Sequence, residues 1–400
     1  MPLNARMDAV GDYPFDRLRA LLGALEPPTG VTPIPLSLGE PQHAPPAFLA
    51  ETVARETAGW SKYPPMRGTE PARAAIAGWL TRRYGLPENM VDPETMVIPV
   101  SGTREALFMI ALAAVPETKN GRKPVVLMPN PFYQVYLGAA VMAGAEPVFV
   151  PADSENGFLP DFASLPEDIL ERTALAYYCS PANPQGAIAP METMKTLVNL
   201  ARQHDFLLIS DECYSELYYG APPTGGAEAC AALGDDGPGA MRNVVVMNSL
   251  SKRSSAPGLR SGFVAGDANL IKRFSRLRDY GGAPPPLPLL AAASALWSDE
   301  EHVVANRALY AEKYVVAEEI LGGKYGYYSP AGGFYLWLAV GDGEAAARAL
   351  WGDAGVRVIP GEYLAREADG HHPGAGYIRL ALVHDLETTR DALTRITKVL

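Results

Sequence analysis

Between residues 96 and 266, short apolar runs alternate with helical patterns, and this alternation restricts the chain to few folds. MVIPV precedes REALFMIALAAV and VVLMPN precedes YQVYLGAAVMAG. EPVFVP follows, ALAYYCS precedes METMKTLVNLARQH, and FLLIS, NVVVMN and FVAG complete the series. Strand-helix alternation of this kind predicts an α/β fold whose central sheet is mostly parallel and flanked by helices. Such sheets bind ligands beyond the carboxyl ends of their strands. Ser101, Asn183, Asp211 and Ser249 fall just after those runs.

The flanks have a different character. Residues 27–46 are rich in Pro and Gly and read as an arm or linker, and APPPLP at 283–288 is a second break. Beyond it, one long helical pattern over 289–322 leads to strand patterns in FYLWLAV, VRVIPG and YIRLALV. A final helix carries Leu386, Leu393, Ile396 and Leu400 on one face. The expected division is an N-terminal arm that belongs in part to a small domain (1–45), a large cofactor-binding domain (46–284) and a smaller α/β domain (285–400). Residues 220–242, with their Gly and Pro, read as a surface excursion.

At 48% hydrophobic and 20% charged residues, the composition is that of a globular protein. A net charge of −11 offers no basic field to a nucleic acid or an anionic membrane, which leaves small molecules as the expected partners. Cys179, Cys213 and Cys230 form no CxxC pair and leave an odd count, so neither a disulfide framework nor a zinc site is expected. His371 and His372 alone lack a metal-ligand set. The first residues lack the apolar core of a signal peptide, and ALFMIALAAV, the longest apolar run, is too short to span a bilayer. A cytoplasmic protein is expected.

Lys252, in MNSLSKRSSAPGLRSGF, lies forty-one positions after Asp211 of LLISDECYSELYY. An imine-forming amine and a carboxylate able to keep a pyridine nitrogen protonated are what pyridoxal phosphate chemistry requires. A lysine alone would read as an exposed loop residue. Ser101, Gly102 and Thr103 open a helix, where unpaired N–H groups favour a phosphate, although a plain N-cap uses the same residue types. Ser249, Ser251 and Arg260 flank Lys252 with hydroxyls and a guanidinium suited to phosphate oxygens; a structural salt bridge is the other reading of Arg260. Asn183 in CSPANPQG fits a turn or a ligand contact. Tyr214 lies three residues after Asp211 and could reach the same ligand. Tyr133 in NPFYQVY could stack on a ring or pack in the core. Cys213 reads as a buried, inert thiol.

In this order and spacing the residues resemble the aspartate aminotransferase family of fold-type I pyridoxal phosphate enzymes, over nearly the whole chain. Within that family, SLGEPQHAPPAFL, SGTREALF, NPFYQVY, SDECYSELYY, SLSKRSSAPGLRSGFVAGD and IPGEYLAREADGHHPGAGYIRLALV are most similar to the succinyldiaminopimelate transaminase branch. The resemblance implies that Lys252 holds the cofactor as an imine and carries a proton. It implies that Asp211 pairs with the pyridine nitrogen, that Asn183 and Tyr214 bond the ring hydroxyl, and that Tyr133 stacks on the ring. Ser101, Gly102, Thr103, Ser249 and Arg260 would hold the phosphate, joined by Tyr63 from the other subunit of a homodimer with shared active sites. Arg379 would clamp the substrate α-carboxylate beside Gly39 and Asn183. The implied reaction is transamination between an amino acid and a 2-oxo acid such as 2-oxoglutarate. Arg67, Arg104 and Arg253 are candidates for a distal carboxylate. An aromatic, kynurenine or aspartate aminotransferase, a Cβ–S lyase of the same fold, and the aminotransferase-like half of a transcription regulator are the alternatives.

Overall fold

The computed structural model describes residues 3–234, 236, 237, 239–368 and 370–400. Seven strands form the larger sheet, in the spatial order Val97–Val100, Gly262–Gly266, Val244–Ser249, Leu207–Asp211, Thr173–Cys179, Val125–Asn130, Glu146–Pro151. Gly262–Gly266 runs antiparallel to both its neighbours, and every other pairing is parallel. The strand in FVAG is therefore the exception within a mostly parallel sheet.

Alternate side chains of these strands enter cores on opposite faces, as the two-residue strand period requires. Val125, Leu127, Leu208, Val244 and Val246 pack on one face. Val126, Met128, Ile209, Val245 and Met247 pack on the other. Helices cover both sides, which is why the strands read as unbroken apolar runs. Met191–Gln203 shows the logic: Met194, Leu197, Val198 and Ala201 recur at helical spacing and are all buried against the first face.

A second, three-stranded antiparallel sheet has the order Ile359–Pro360, Tyr377–Ala381, Tyr335–Ala339. Helices Glu301–Leu321, Gly343–Ala354 and Leu386–Val399 share a core with it. Ile34–Pro35 of the arm pairs with Val356–Arg357, which ties the arm to this smaller unit.

Three sequence expectations need correction. The pattern at 289–322 is two helices, Leu287–Ser298 and Glu301–Leu321, broken at Asp299, which accepts the amide of His302. The first of these buries Ala293, Leu296 and Trp297 in the core of the large sheet, where Trp297 meets Trp79 at 4.9 Å. In the last helix the buried face is Thr389, Ala392, Leu393 and Ile396. Leu386 and Leu400 are 39% and 38% exposed, because they sit at the two ends of the helix, beyond the turns that pack. Residues 220–242 are not simply a surface excursion. Gly226–Ala232 is a helix with Gly226, Ala227, Ala229 and Cys230 buried, and Met241 is also in the core; Asp235 and Pro238 lie outside the described residues.

Candidate active site

Asp211, Cys179 and Ser249 are the last residues of adjacent or near-adjacent parallel strands, so their side chains emerge at one edge of the large sheet. A cavity of about 420 Å³ opens there. It is lined by these three residues together with Gly39, Thr103, Tyr133, Asn183, Tyr214, Lys252, Arg260 and, from the small sheet, Tyr335 and Arg379. The ends of the large-sheet strands supply part of its wall, and the paired small-sheet strands Tyr335–Ala339 and Tyr377–Ala381 supply another part.

Lys252 sits in the short turn Leu250–Arg253, begun by Ser249, whose hydroxyl accepts the Ser251 amide at 3.1 Å. Asn306 Nδ2 donates to the Lys252 carbonyl at 3.0 Å, and Lys252 Nζ donates to the Gly39 carbonyl at 2.5 Å. Burial brings the amine down to about 8, with Arg379 and Arg260 pushing the same way and Cys213 opposing. Its free-base form is therefore far more accessible near neutrality than that of an ordinary lysine.

Asp211 is buried, which pushes its carboxyl up from the usual range. Hydrogen bonds from Tyr136 and from Cys213 hold that rise back. Tyr136 Oη donates to Oδ2 at 2.6 Å, and the Cys213 amide donates to Oδ1 at 3.2 Å. Two acceptor positions of the carboxylate remain for a ligand. Tyr136 is fixed in turn by stacking on Tyr177, at 4.3 Å with an 8° interplanar angle.

Gly102 begins helix Thr103–Ala114 with φ +90°, and a Cβ there would lie 2.3 Å from Arg260 Nη2. Only glycine lets the guanidinium lie against the start of this helix. Arg260 stands at φ +52° after the turn Pro257–Leu259, just ahead of the strand Gly262–Gly266, and it donates to the Pro257 carbonyl. No salt bridge to Arg260 occurs among the described residues. Helix amides, the Thr103 and Ser249 hydroxyls and a guanidinium converge here as an anion cradle.

Arg379 is buried, donates from Nη1 to Asn183 Oδ1 at 3.1 Å and from Nη2 to the Ser37 carbonyl at 2.8 Å, and leaves Nε without a protein partner. Its guanidinium lies 4.4 Å from the centre of the Tyr335 ring. The Tyr335 hydroxyl is 3.1 Å from that of Tyr214. A Cβ on Gly39 would lie 1.9 Å from Tyr335 Oη, so the arm crosses this hydroxyl where only glycine fits.

Three expected residues do not line the cavity: Gly102, which lies against Arg260, and Ser101 and Tyr63. The Ser101 hydroxyl donates to the Ala283 carbonyl at 2.6 Å. Tyr63 is fully exposed. Of the three candidate distal arginines, Arg253 is buried and bound to the Leu296 and Asp299 carbonyls and to Glu300, and Arg67 bonds the Glu94 carbonyl. Only Arg104 reaches the cavity, with Nε donating to Tyr133 Oη at 2.7 Å. Cys213 is half-buried rather than buried, lies 3.2 Å from Thr103 Oγ1, and has its thiol pushed well up by burial and by Asp211. His371 pairs with Asp153 at 3.1 Å. Sequence reasoning missed Tyr136 and Tyr335, together with Tyr13 and Phe15 at the cavity rim. Tyr136 carried a usable signal, one helical turn after Tyr133.

Residues 31–396 match the family model for aminotransferase class I and II. The chain belongs to that family. It is 31% identical over 394 residues to an LL-diaminopimelate aminotransferase of Syntrophobacter fumaroxidans, covering 96% of this chain and 95% of that one. An aminotransferase structure from Neisseria meningitidis matches with a TM-score of 0.93 and 39% identity, covering 99% of both chains. A probable N-succinyldiaminopimelate aminotransferase from Thermus thermophilus matches with a TM-score of 0.82 and 25% identity, covering 99% of this chain and 100% of that one.

Class I and II aminotransferases depend on pyridoxal phosphate, and the cavity of this aminotransferase fits that group. The Gly102 cradle suits a phosphate, the spare acceptors of Asp211 suit a protonated ring nitrogen, and the Lys252 amine suits an aldehyde.

Proposed function

We propose that this aminotransferase transfers the α-amino group of N-succinyl-L,L-diaminopimelate to 2-oxoglutarate, in two half-reactions at one site. Pyridoxal phosphate, when bound, supplies an aldehyde that captures the amine and a ring that takes up the electron pair released at the substrate α-carbon. Lys252 holds the cofactor covalently, and as a free base it takes the α-proton and returns it. Asp211 keeps the ring nitrogen protonated, Tyr214 and Asn183 face the ring hydroxyl, and Tyr133 covers the ring. Gly102, Thr103, Ser249 and Arg260 hold the phosphate. Arg379 takes the α-carboxylate, for which its unpartnered Nε and its stacking on Tyr335 prepare it. The exposed Tyr63, with Trp60 at 56% exposure nearby in sequence, supports a homodimer in which Tyr63 reaches the other subunit's phosphate.

One observation carries the choice of donor: besides Arg260 and Arg379 the cavity lining holds a third arginine, Arg104, while Asp211 is the only carboxylate of that lining among the described residues. A distal end that carries carboxylates and no ammonium suits this excess of cations over carboxylates. The similarity to LL-diaminopimelate aminotransferases favours unsuccinylated L,L-diaminopimelate as the second reading. Steady-state kinetics with both donors, aspartate, tyrosine and kynurenine separates them. The succinylated donor should lead the last three by at least about a hundredfold in kcat/KM, roughly 2.7 kcal/mol of transition-state binding. Preference for L,L-diaminopimelate would move the assignment to the second reading. Release of pyruvate and ammonia from a sulfur amino acid would make the enzyme a lyase.

A further inference from the structure

Tyr335 enters the assignments above only through its ring beside Arg379, yet three contacts converge on it. Its hydroxyl meets the Tyr214 hydroxyl at 3.1 Å, its ring lies 4.4 Å under the Arg379 guanidinium, and Gly39 leaves its hydroxyl room. The antiparallel register explains the second contact. Tyr335 pairs with Ala381, which places Arg379 diagonally across on the same face. Both tyrosines are buried, and Phe334 packs edge-on against both rings, at 5.5 Å from Tyr214 and 4.7 Å from Tyr335, so the pair has little freedom to separate.

We infer that Tyr335 is a positioning residue, acting through Tyr214 to set the ionisation of the bound cofactor. This rests on the reading that Tyr214 donates to the cofactor's ring oxygen. A phenol has one proton. If Tyr214 gives its proton to the ring oxygen, its own oxygen can only accept, and Tyr335 is then the donor between them. A phenol that accepts one hydrogen bond becomes a stronger donor in the next. The cation over the Tyr335 ring strengthens the first donor further. Tyr335 thus makes Tyr214 a better partner for an anionic ring oxygen and favours the deprotonated chromophore.

The test is a pH titration of the visible absorbance of the holoenzyme, for the wild type, Tyr335→Phe, Tyr214→Phe and the double variant. Phenylalanine keeps the ring under Arg379 and removes only the hydroxyl. Tyr335→Phe should raise the spectral midpoint by about half a unit, as expected for one neutral hydrogen bond felt through a second. Tyr214→Phe should raise it more, and adding Tyr335→Phe to that variant should change nothing further. The dissociation constant for pyridoxal phosphate should stay within about threefold in Tyr335→Phe, which a merely structural loss would not allow. An unmoved midpoint in Tyr335→Phe beside a clear shift in Tyr214→Phe overturns the inference and leaves the site reading standing. So does an undiminished shift in the Tyr214→Phe background. An unmoved midpoint in Tyr214→Phe overturns the site reading itself.

Discussion

Replacing Tyr136 by Phe tests how this site holds its carboxylate. The change deletes one hydroxyl, keeps the ring stacked on Tyr177, and removes the 2.6 Å bond to Asp211 Oδ2. Both residues are buried, so water cannot replace the lost donor freely. A hydrogen bond to a charged group is worth about 1.5–3 kcal/mol. Burial already pushes the Asp211 carboxyl up, and the Tyr136 bond opposes that push. Without the bond the carboxyl should rise further, because the ionised form loses that support. The ionised form, which stabilises the cofactor's protonated nitrogen, is lost as pH falls through the raised value. The acid limb of the kcat–pH profile should therefore move upward, and on that limb kcat should fall by about 10- to 100-fold, the worth of the lost hydrogen bond. KM for the donor should change little, since Arg379 and Asn183 are untouched. Steady-state kinetics across pH 5 to 9, roughly the range in which carboxyls and amines so perturbed titrate, provides the assay. An acid limb that stays in place, with kcat within twofold, would refute the assignment of Tyr136 as the carboxylate's anchor and leave it a packing residue.

Gly102→Ala places a methyl 2.3 Å from Arg260 Nη2 at φ +90°, so pyridoxal phosphate should bind at least about tenfold more weakly while far-ultraviolet circular dichroism is unchanged; unaltered affinity in a cofactor titration would argue against the cradle. Covalent capture of pyridoxal phosphate by the apoenzyme, trapped by borohydride and mapped to the Lys252 peptide, should rise with pH around a midpoint near 8 as the amine loses its proton, and a midpoint above about ten, the range of an ordinary lysine, would contradict the lowered value. Arg253→Met should leave donor KM unchanged and reduce stability to urea by about 1–3 kcal/mol, because it strips a guanidinium from beside Trp79 and Trp297 and from the Leu296 carbonyl; a large rise in KM would restore Arg253 as a substrate contact.

The large sheet was legible because its strands are buried on both faces and its helices announce themselves by period. Lys252, Asp211, Asn183 and Arg379 were legible because each follows or lies within such a strand and carries a chemical group that is hard to explain otherwise. Tyr335 was not, since a tyrosine at the start of a strand has the same sequence pattern whether its hydroxyl faces a core or a ligand. Arg253 misled for a related reason. Its neighbour Lys252 enters the cavity, but in a helical turn adjacent residues point about 100° apart, and Arg253 turns into the core beside two indoles. The break at Asp299 was hidden because apolar spacing on either side of it stays in phase with a continuous helix. Ser101 and Gly102 are neighbours in one motif, yet only the glycine's backbone geometry, invisible in composition, builds the cradle.

The arm between residues 37 and 43 explains how two cations share one small cavity before any substrate arrives. Lys252 and Arg379 repel, and burial deprives both of water. The arm supplies carbonyl oxygens in their place: Ser37 to Arg379 Nη2 and Gly39 to Lys252 Nζ, while the His43 carbonyl accepts the Ser255 hydroxyl at 2.6 Å and fixes the far end. His43 itself is held by Lys313, whose Nζ lies 2.7 Å from its ring and also donates to the Leu382 carbonyl. Carbonyl dipoles satisfy the cations without neutralising them. Arg379 thus keeps its charge for an incoming carboxylate, and Lys252 stays near the point of losing its proton. Glu40 of the same arm favours the protonated Lys252 amine, against burial and the Arg379 charge, which lower it. Because the arm pairs with Val356–Arg357 and its Leu36 carbonyl accepts the Ala381 amide of the small sheet at 2.7 Å, while Lys252 follows a strand of the large one, the same backbone that sets these charges also joins the two halves of the site.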